Sequence, residues 1–279
     1  MVNGLPGNMA AITAKHILIE DRFELIPFSL TGPEIEDTRF FIDSTDVLLI
    51  QPEKREQAMA DIQQNEKSFI IVDYTHPAAA NGNAGFYCKQ GIPFVMGTTG
   101  GDRKFMGKIV RSSSISAVIA PNMAKQIVGF QAMIKWCSDT FPNLFRGYSL
   151  EIRESHQSGK ADTSGTAKSM IRYFNNLGIP FSETEIIRLR DPGEQKEVLG
   201  VPGKYLDGHG WHTYRLTSND KTVLFEFTHN INGRDIYAAG TLDAVSFLSE
   251  KMQEGRQGEI YSMIDVLRGK QLSEDTEIK

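Results

Sequence analysis

Residues 69–100 read FIIVDYTHPAAANGNAGFYCKQGIPFVMGTTG. Phe69-Ile70-Ile71-Val72-Asp73 is an apolar, β-branched run of strand type. Thr75 is a candidate N-cap and Pro77 suits a first helical turn, so a helix is expected next. Pro93-Phe94-Val95-Met96 is a second strand, and Gly97-Thr98-Thr99-Gly100-Gly101 ends it. Strand, helix and strand in that order form a βαβ unit, whose strands lie parallel. The pattern extends both ways. Upstream, Val47-Leu48-Leu49-Ile50 is another buried strand, with a helix opening at Pro52 and running to about Gln64. Glu24-Leu25-Ile26-Pro27-Phe28 is read as a strand that its proline confines to an edge. Downstream, Ile115 to Ala120 closes the series before Pro121. The expected fold is α/β: a Rossmann-like doubly wound parallel sheet.

The character changes near residue 148. Tyr148–Ser155, Glu185–Arg190, Thr213–Thr217, Thr222–His229 and Asp235–Ala239 read as longer strands, with a helix from Ser164 to about Leu177 among them. This predicts an α+β second domain with a mixed open sheet. The division expected is 1–124 for a dinucleotide-binding domain and 125–238 for a substrate-binding and oligomerisation domain. Residues 239–279 would return to the first domain through a helix from about Leu242 to Gln253, with 271–279 a disordered tail. Met1-Val2 leads straight into a glycine turn and leaves almost no room for a strand; a trimmed leader or a short start is the reading. No signal or transit peptide is apparent.

Composition narrows the function classes. The chain has 279 residues, 40% of them hydrophobic and 23% charged, enough to bury a core. Its net charge of −5 argues against a broad nucleic-acid footprint or an anionic membrane surface. No apolar run reaches the roughly 18 residues a membrane span requires. The 2 cysteines, Cys88 and Cys137, make neither a disulfide framework nor a metal-ligand pattern, and are read as thiols in a reducing compartment.

Three loops carry a nucleotide signal. Asn3-Gly4-Leu5-Pro6-Gly7-Asn8-Met9 is a G-x-x-G turn feeding a helix, where glycines admit a pyrophosphate and free amides bind it. Gly97-Thr98-Thr99-Gly100 and Ala120-Pro121-Asn122-Met123 both follow strands of the same sheet, the edge at which doubly wound sheets bind ligands. After the expected second strand comes Phe28-Ser29-Leu30-Thr31-Gly32, with no acid before Glu34. Small hydroxyls there accept a 2′-phosphate without repulsion, so NADPH is favoured, with NADH the alternative.

Glu154-Ser155-His156-Gln157-Ser158-Gly159-Lys160-Ala161-Asp162-Thr163-Ser164-Gly165-Thr166 joins a strand to a helix. Thr163 or Ser164 caps that helix, and its first amides suit a carboxylate. His156 and Lys160 precede it, one group titrating near neutrality and one mobile amine. His209, His212 and His229 are read as structural, since no acid or thiol accompanies them at ligand spacing; no metal is expected.

Gly4-x-x-Gly7-x-Met9, Val72-Asp73-Tyr74-Thr75-x-Pro77, Gly97–Gly100, Ala120–Met123 and the Glu154–Ala167 loop stand in the order and spacing of the dihydrodipicolinate reductases. With Gly210-Trp211-His212-Thr213, Thr228-His229, Arg234 and Tyr261–Arg268, the resemblance covers nearly the whole chain. Glu-Ser-His-Gln and Met-Ile-Asp-Val-Leu-Arg make it similar to the plant-type branch.

The resemblance implies nicotinamide-dependent reduction of 4-hydroxy-tetrahydrodipicolinate, a cyclic dicarboxylate, on the diaminopimelate route to lysine. It implies His156 as general acid/base and Lys160 as proton donor and carboxylate partner. Gln157, Ser164, Gly165 and Thr166 would hold the substrate. Gly4, Gly7, Asn8 and Met9 would carry the pyrophosphate, and Thr75, Gly97, Thr98, Thr99, Pro121, Asn122 and Met123 the ribose and nicotinamide. A homo-oligomer, dimer or tetramer, is implied, in a bacterial cytoplasm or in a plastid stroma with its transit peptide removed. Gln157 stands where the commoner bacterial pattern has a second histidine, and one residue is missing before Ser164. Two other readings stay open: a different nicotinamide oxidoreductase on the same two-domain plan, and a non-catalytic assembly protein with this fold.

Overall fold

The computed structural model describes residues 1–160 and 162–269. Its chain divides into two units, one of residues 1–125 with the chain from Asp235 onward, the other Gln126–Arg234. The boundaries expected from sequence stand at 124/125 and 238/239.

In the first unit, β1 (Val2–Asn3) leads into α1 (Asn8–Ile19), followed by β2 (Phe28–Leu30), β3 (Arg39–Ile42) and β4 (Thr45–Ile50). A short 3₁₀ turn at Pro52–Lys54 opens α2 (Arg55–Asn65). Then come β5 (Ile71–Asp73), α3 (Ala80–Gln90), β6 (Phe94–Met96), α4 (Arg103–Arg111) and β7 (Ala117–Ile119). The second unit holds most of α5 (Lys125–Thr140), then β8 (Tyr148–His156), α6 (Gly165–Asn176), β9 (Ile187–Leu189), α7 (Pro192–Glu197), β10 (His209–Ser218) and β11 (Leu224–Asn232). The chain returns to the first unit with α8 (Asp235–Gln253), β12 (Ile260–Tyr261) and α9 (Met263–Gly269).

The main sheet runs β1-β5-β6-β7-β12, and every pairing in it is parallel. A second sheet, β2-β4-β3, continues from β1: Gly4 N donates to Leu30 O at 2.9 Å, and Leu30 N to the Asn3 side chain at 2.9 Å. Short as it is, β1 sets Val2 opposite Val72 and Asn3 opposite Asp73. The central strands β5, β6 and β7 are buried from end to end, as parallel strands covered by helices on both faces must be. Met59, Ile62, Tyr87, Phe94, Met96 and Met106 fill the core of this unit. A Rossmann-like parallel sheet is therefore present.

The second unit is a mixed sheet, β11-β10-β8-β9, antiparallel except where β8 meets β9. Its inner face sets Ile152, Tyr214 and Leu216 against Met170, Ile171 and Phe174 of α6. α6 keeps those residues on one stripe, because i, i+3/i+4 positions share a face.

Several local expectations are corrected. The strand expected at 24–28 forms at Phe28–Leu30, because Pro27 has no N–H for a ladder. Asp235–Ala239, expected as a strand, is the first turn of α8, with Asp235 placed where a helix N-terminus favours an acid. The N-cap of the turn after β5 is His76, whose side chain accepts from Ala78 N, and not Thr75. The Arg39–Asp46 hairpin went unrecognised, although Asp43 takes the left-handed conformation (φ 52°) that such a turn demands. The expected tail at 271–279 lies outside the described residues.

Candidate active site

In the first unit the G-x-x-G turn is built from both sides. Gly4 sits at φ +104°, and a Cβ there would stand 2.3 Å from the carbonyl oxygen of Tyr74, so only glycine fits. Gly7 N closes the turn on Gly4 O at 2.8 Å. Gly7 then caps α1 without any side-chain hydrogen bond, so the first amides of the helix are left for an anion. Beside the turn lies a cavity of about 840 Å³, within the ~300–1,000 Å³ range of ligand sites. Gly4, Gly7, Asn8 and Thr75 line it, as do His76 and Arg55. Met9, Gly97–Thr99 and Pro121–Met123 stand outside that lining. Of these, Thr99 and Pro121 are exposed, whereas Met123 is buried. A glycine cradle over an uncapped helix at the edge of a parallel sheet fits a dinucleotide.

Asp73 organises this edge, a role the sequence reading did not assign it. It is fully buried at the end of β5. One carboxylate oxygen accepts from Thr75 N (3.0 Å), Thr75 Oγ1 (2.8 Å) and Thr98 Oγ1 (2.6 Å). The other accepts from Asn83 Nδ2 (3.1 Å) and Tyr87 OH (2.6 Å). Burial and the Asp73 charge both push the Tyr87 phenol well above its usual pKa, keeping it a donor. Thr98, expected to face the cofactor, spends its hydroxyl here and ties two loops to one anion. Asp73→Asn puts an amide N–H among donors, and should cost about 2–3 kcal/mol. Denaturant unfolding and nucleotide titration check it, with weaker nucleotide binding also expected.

Within β2, Ser29 is buried, and its hydroxyl accepts from Leu5 N at 3.2 Å and donates to Leu30 O at 3.5 Å. It is therefore not free for a 2′-phosphate, contrary to the sequence expectation. Thr31 does line the cavity. Glu34 folds back so that its carboxylate oxygens lie 2.3–2.4 Å from where a Cβ on Gly32 would be.

In the second unit, β8 alternates so that Ile152, Glu154 and His156 share the inner face. Glu154 is fully buried. Its partners are Arg190 Nη2 on Oε1 and Ser164 N on Oε2 at 3.0 Å. The cross-strand register sets His212 opposite Glu154 and His229 opposite His212. His212 Nε2 is 3.7 Å from Glu154 Oε2 and 2.9 Å from Ser164 Oγ. The ring centres of His156 and His212 are 5.0 Å apart, and those of His212 and His229 4.7 Å. Burial pushes the Glu154 carboxyl up, but hydrogen bonding with His212, Arg190 and the Ser164 amide outweighs it and holds the group well below the usual carboxylate range.

His156 has a defined tautomer. Its Nδ1 lies 3.2 Å from His209 O, a carbonyl that can only accept, so Nδ1 carries the hydrogen. Nε2 is buried and has no hydrogen-bond partner among the described residues, which makes it the atom able to take or give a proton. Burial lowers the His156 pKa, and the neighbouring His212 lowers it further, against a smaller opposite pull from Glu154. Ser164 is the cap of α6, accepting from Ala167 N at 3.1 Å, and Thr163 is not. The amides of Gly165 and Thr166 precede the first intrahelical bond, Lys168 N to Ser164 O, so the helix itself supplies them no acceptor. Lys160 N closes a turn on Gln157 O at 3.0 Å.

Glu154, His156 and His212 each offer an atom within 4.8 Å of the others, the donor set of a transition-metal site. The sequence reading found no acid near His212, because Glu154 reaches it only through strand pairing. Both carboxylate oxygens are already taken by Arg190 and Ser164, so a cation would have to displace them. Asp73, Glu154, Arg190, Gln195 and Arg55 stand at the two candidate sites and were not singled out from sequence. For Glu154 the signal was present: an acid on the apolar face of an alternating strand needs a buried partner.

The family profile described as "Dihydrodipicolinate reductase, N-terminus" matches residues 1–123, and "Dihydrodipicolinate reductase, C-terminus" matches 127–267. The chain is 46% identical over 268 residues to 4-hydroxy-tetrahydrodipicolinate reductase 2, chloroplastic, of Arabidopsis thaliana, covering 96% of the chain and 76% of that protein. It is 44% identical over 268 residues to probable 4-hydroxy-tetrahydrodipicolinate reductase 1, chloroplastic, of Oryza sativa subsp. japonica, covering 96% and 78%. Among solved structures, the dipicolinate-bound dihydrodipicolinate reductase from Paenisporosarcina sp. TG-14 shares the fold, with a TM-score of 0.62 at 17% identity over 94% of this chain and 96% of that one.

Proposed function

The chain belongs to the dihydrodipicolinate reductase family, and on that premise we propose that it reduces 4-hydroxy-tetrahydrodipicolinate to tetrahydrodipicolinate in diaminopimelate and lysine biosynthesis. The observation that carries the reading is the buried, unpartnered Nε2 of His156 at the start of a loop that continues through Lys160 to the amides of Gly165 and Thr166. A nicotinamide bound in the first unit would supply the hydride, and with one proton added and the 4-hydroxyl lost as water the reaction balances. Everything else falls to side chains and amides of this chain. Gly165, Thr166 and the Ser164 cap receive one substrate carboxylate, and Lys160 and Gln157 the other. In the free protein His156 is neutral at neutral pH. A dianion placed beside it favours the imidazolium, so Nε2 acquires the proton needed as charge builds on the ring. Lys160 stabilises the same charge and serves as a further donor.

Absorbance at the nicotinamide band tests this. Substrate-dependent oxidation is the expected result, and none with a working control would refute it.

NADPH is the preferred cofactor in this reading. Arg55 lines the cavity with its guanidinium carbon 4.6 Å from the Phe86 ring centre, a cation–π contact. It is the cation offered to a 2′-phosphate, against the opposing charge of Glu34. Arg55→Met is expected to lower the ratio of kcat/KM for NADPH over NADH by about 10-fold or more, the loss of one charge-assisted hydrogen bond. An unchanged ratio removes Arg55 from that role. A homo-oligomer, dimer or tetramer, is proposed, to be checked by light scattering. The compartment proposed is a plastid stroma or a bacterial cytoplasm; among the described residues no helix is long and apolar enough to cross a membrane.

A further inference from the structure

Residues 157–160 and 162–164, after β8, belong to neither strand nor helix, yet side chains from elsewhere in the second unit hold this stretch at its start, its middle and its end. At the start, the buried Gln195 donates its Nε2 to His156 O at 2.7 Å and to Leu189 O at 3.0 Å. In the middle, Arg190 donates its Nε to Lys160 O at 2.9 Å. At the end, Glu154 accepts from Ser164 N at 3.0 Å. Arg190 and Glu154 are themselves locked together. Arg190 Nη1 donates to Glu154 O at 3.2 Å and Leu189 O at 3.1 Å, while Nη2 meets Glu154 Oε1.

We propose that Arg190 is a positioning residue for Lys160, with the Arg190–Glu154 pair acting as a splint that fixes the backbone from which the amine of Lys160 extends. The proposal rests on the catalytic reading of Lys160. The guanidinium is suited to the task because its donors form a rigid planar fork, and here that fork spans the side chain of β8 and the carbonyl of the loop at once. A lysine at the same place could keep the ion pair but could not serve both acceptors in fixed geometry. Four of the five N–H donors of Arg190 are engaged with protein acceptors, which suits a role exerted through Lys160.

The test is a double-mutant cycle in kcat/KM between Arg190→Met and Lys160→Ala, with NADPH affinity measured alongside. Arg190→Met is expected to lower kcat/KM about 10- to 100-fold, the scale of a misplacement of about 1 Å. In the Lys160→Ala background the same change should alter kcat/KM less than about twofold, since neighbours acting as a unit are non-additive. NADPH affinity should not move. Arg190→Lys, which retains the charge on Glu154, provides the same cycle if the methionine variant does not fold. An equal loss with and without Lys160, or full activity in both Arg190 variants, overturns the proposal. Full activity of Lys160→Ala alone refutes the catalytic reading of Lys160, and the proposal with it.

Discussion

Replacing His156 by Ala is expected to lower kcat/KM by about 10²- to 10⁴-fold, the usual contribution of one general acid–base group. Folding should be little affected, because the ring is only partly buried and its one protein hydrogen bond goes to the His209 carbonyl. Binding of NADPH should also be unchanged, as the nucleotide cradle is in the other unit. The loss should appear chiefly in kcat, since the proton is needed as charge develops on the ring. Steady-state kinetics with thermal melting as a control decide it. A variant with parental kcat would show that the proton comes from elsewhere, with Lys160 the first place to look.

The second large effect is expected within the first unit. In Gly240→Ala the new Cβ would stand 1.8 Å from the carbonyl oxygen of Met123, so helix and loop cannot both keep their places. The surrounding stretch of α8 braces the sheet edge. Thr241 Oγ1 meets Tyr74 OH at 2.5 Å, and Asp243 pairs with Lys125. Burial pushes the Tyr74 phenol up to about 12, so it stays a neutral partner in that contact. Overpacking of this kind typically costs about 1–3 kcal/mol and here should reach the upper end. Displacement of the 121–123 loop should weaken nucleotide binding in parallel. Equilibrium unfolding in denaturant, with NADPH titration, measures both. An unfolding free energy within about 0.5 kcal/mol of the parent, as for an ordinary surface change, would contradict the packing described.

Much of the first unit was legible because its signals are local. Continuous apolar strands, prolines at helix starts and glycines at strand ends identify a parallel sheet without long-range information. What escaped is set by tertiary partners. Asp235-Ile236-Tyr237-Ala238-Ala239 has a strand-like local bias, but burial of Ala238 and Leu242 in the first unit decides for helix. Ser29 looked available for a phosphate until the Leu5 amide claimed it. The His156–Ser164 loop was visible as chemistry from its residue types alone. Its supports were not. Glu154, Arg190, Gln195 and His212 converge only once β8, β9 and β10 pair, and no spacing along the chain encodes that meeting. The fold-back of Glu34 onto Gly32 is likewise invisible in a reading that stops at the strand end.

The central claim is that the substrate's two carboxylates charge His156 for proton delivery. NMR titration of the His156 ring, with and without pyridine-2,6-dicarboxylate, tests it most directly. The account predicts that the free ring titrates below its ordinary range and that the dicarboxylate both shifts its resonance and raises its midpoint. A resonance and midpoint unmoved by dicarboxylate that calorimetry shows to be bound would contradict the account.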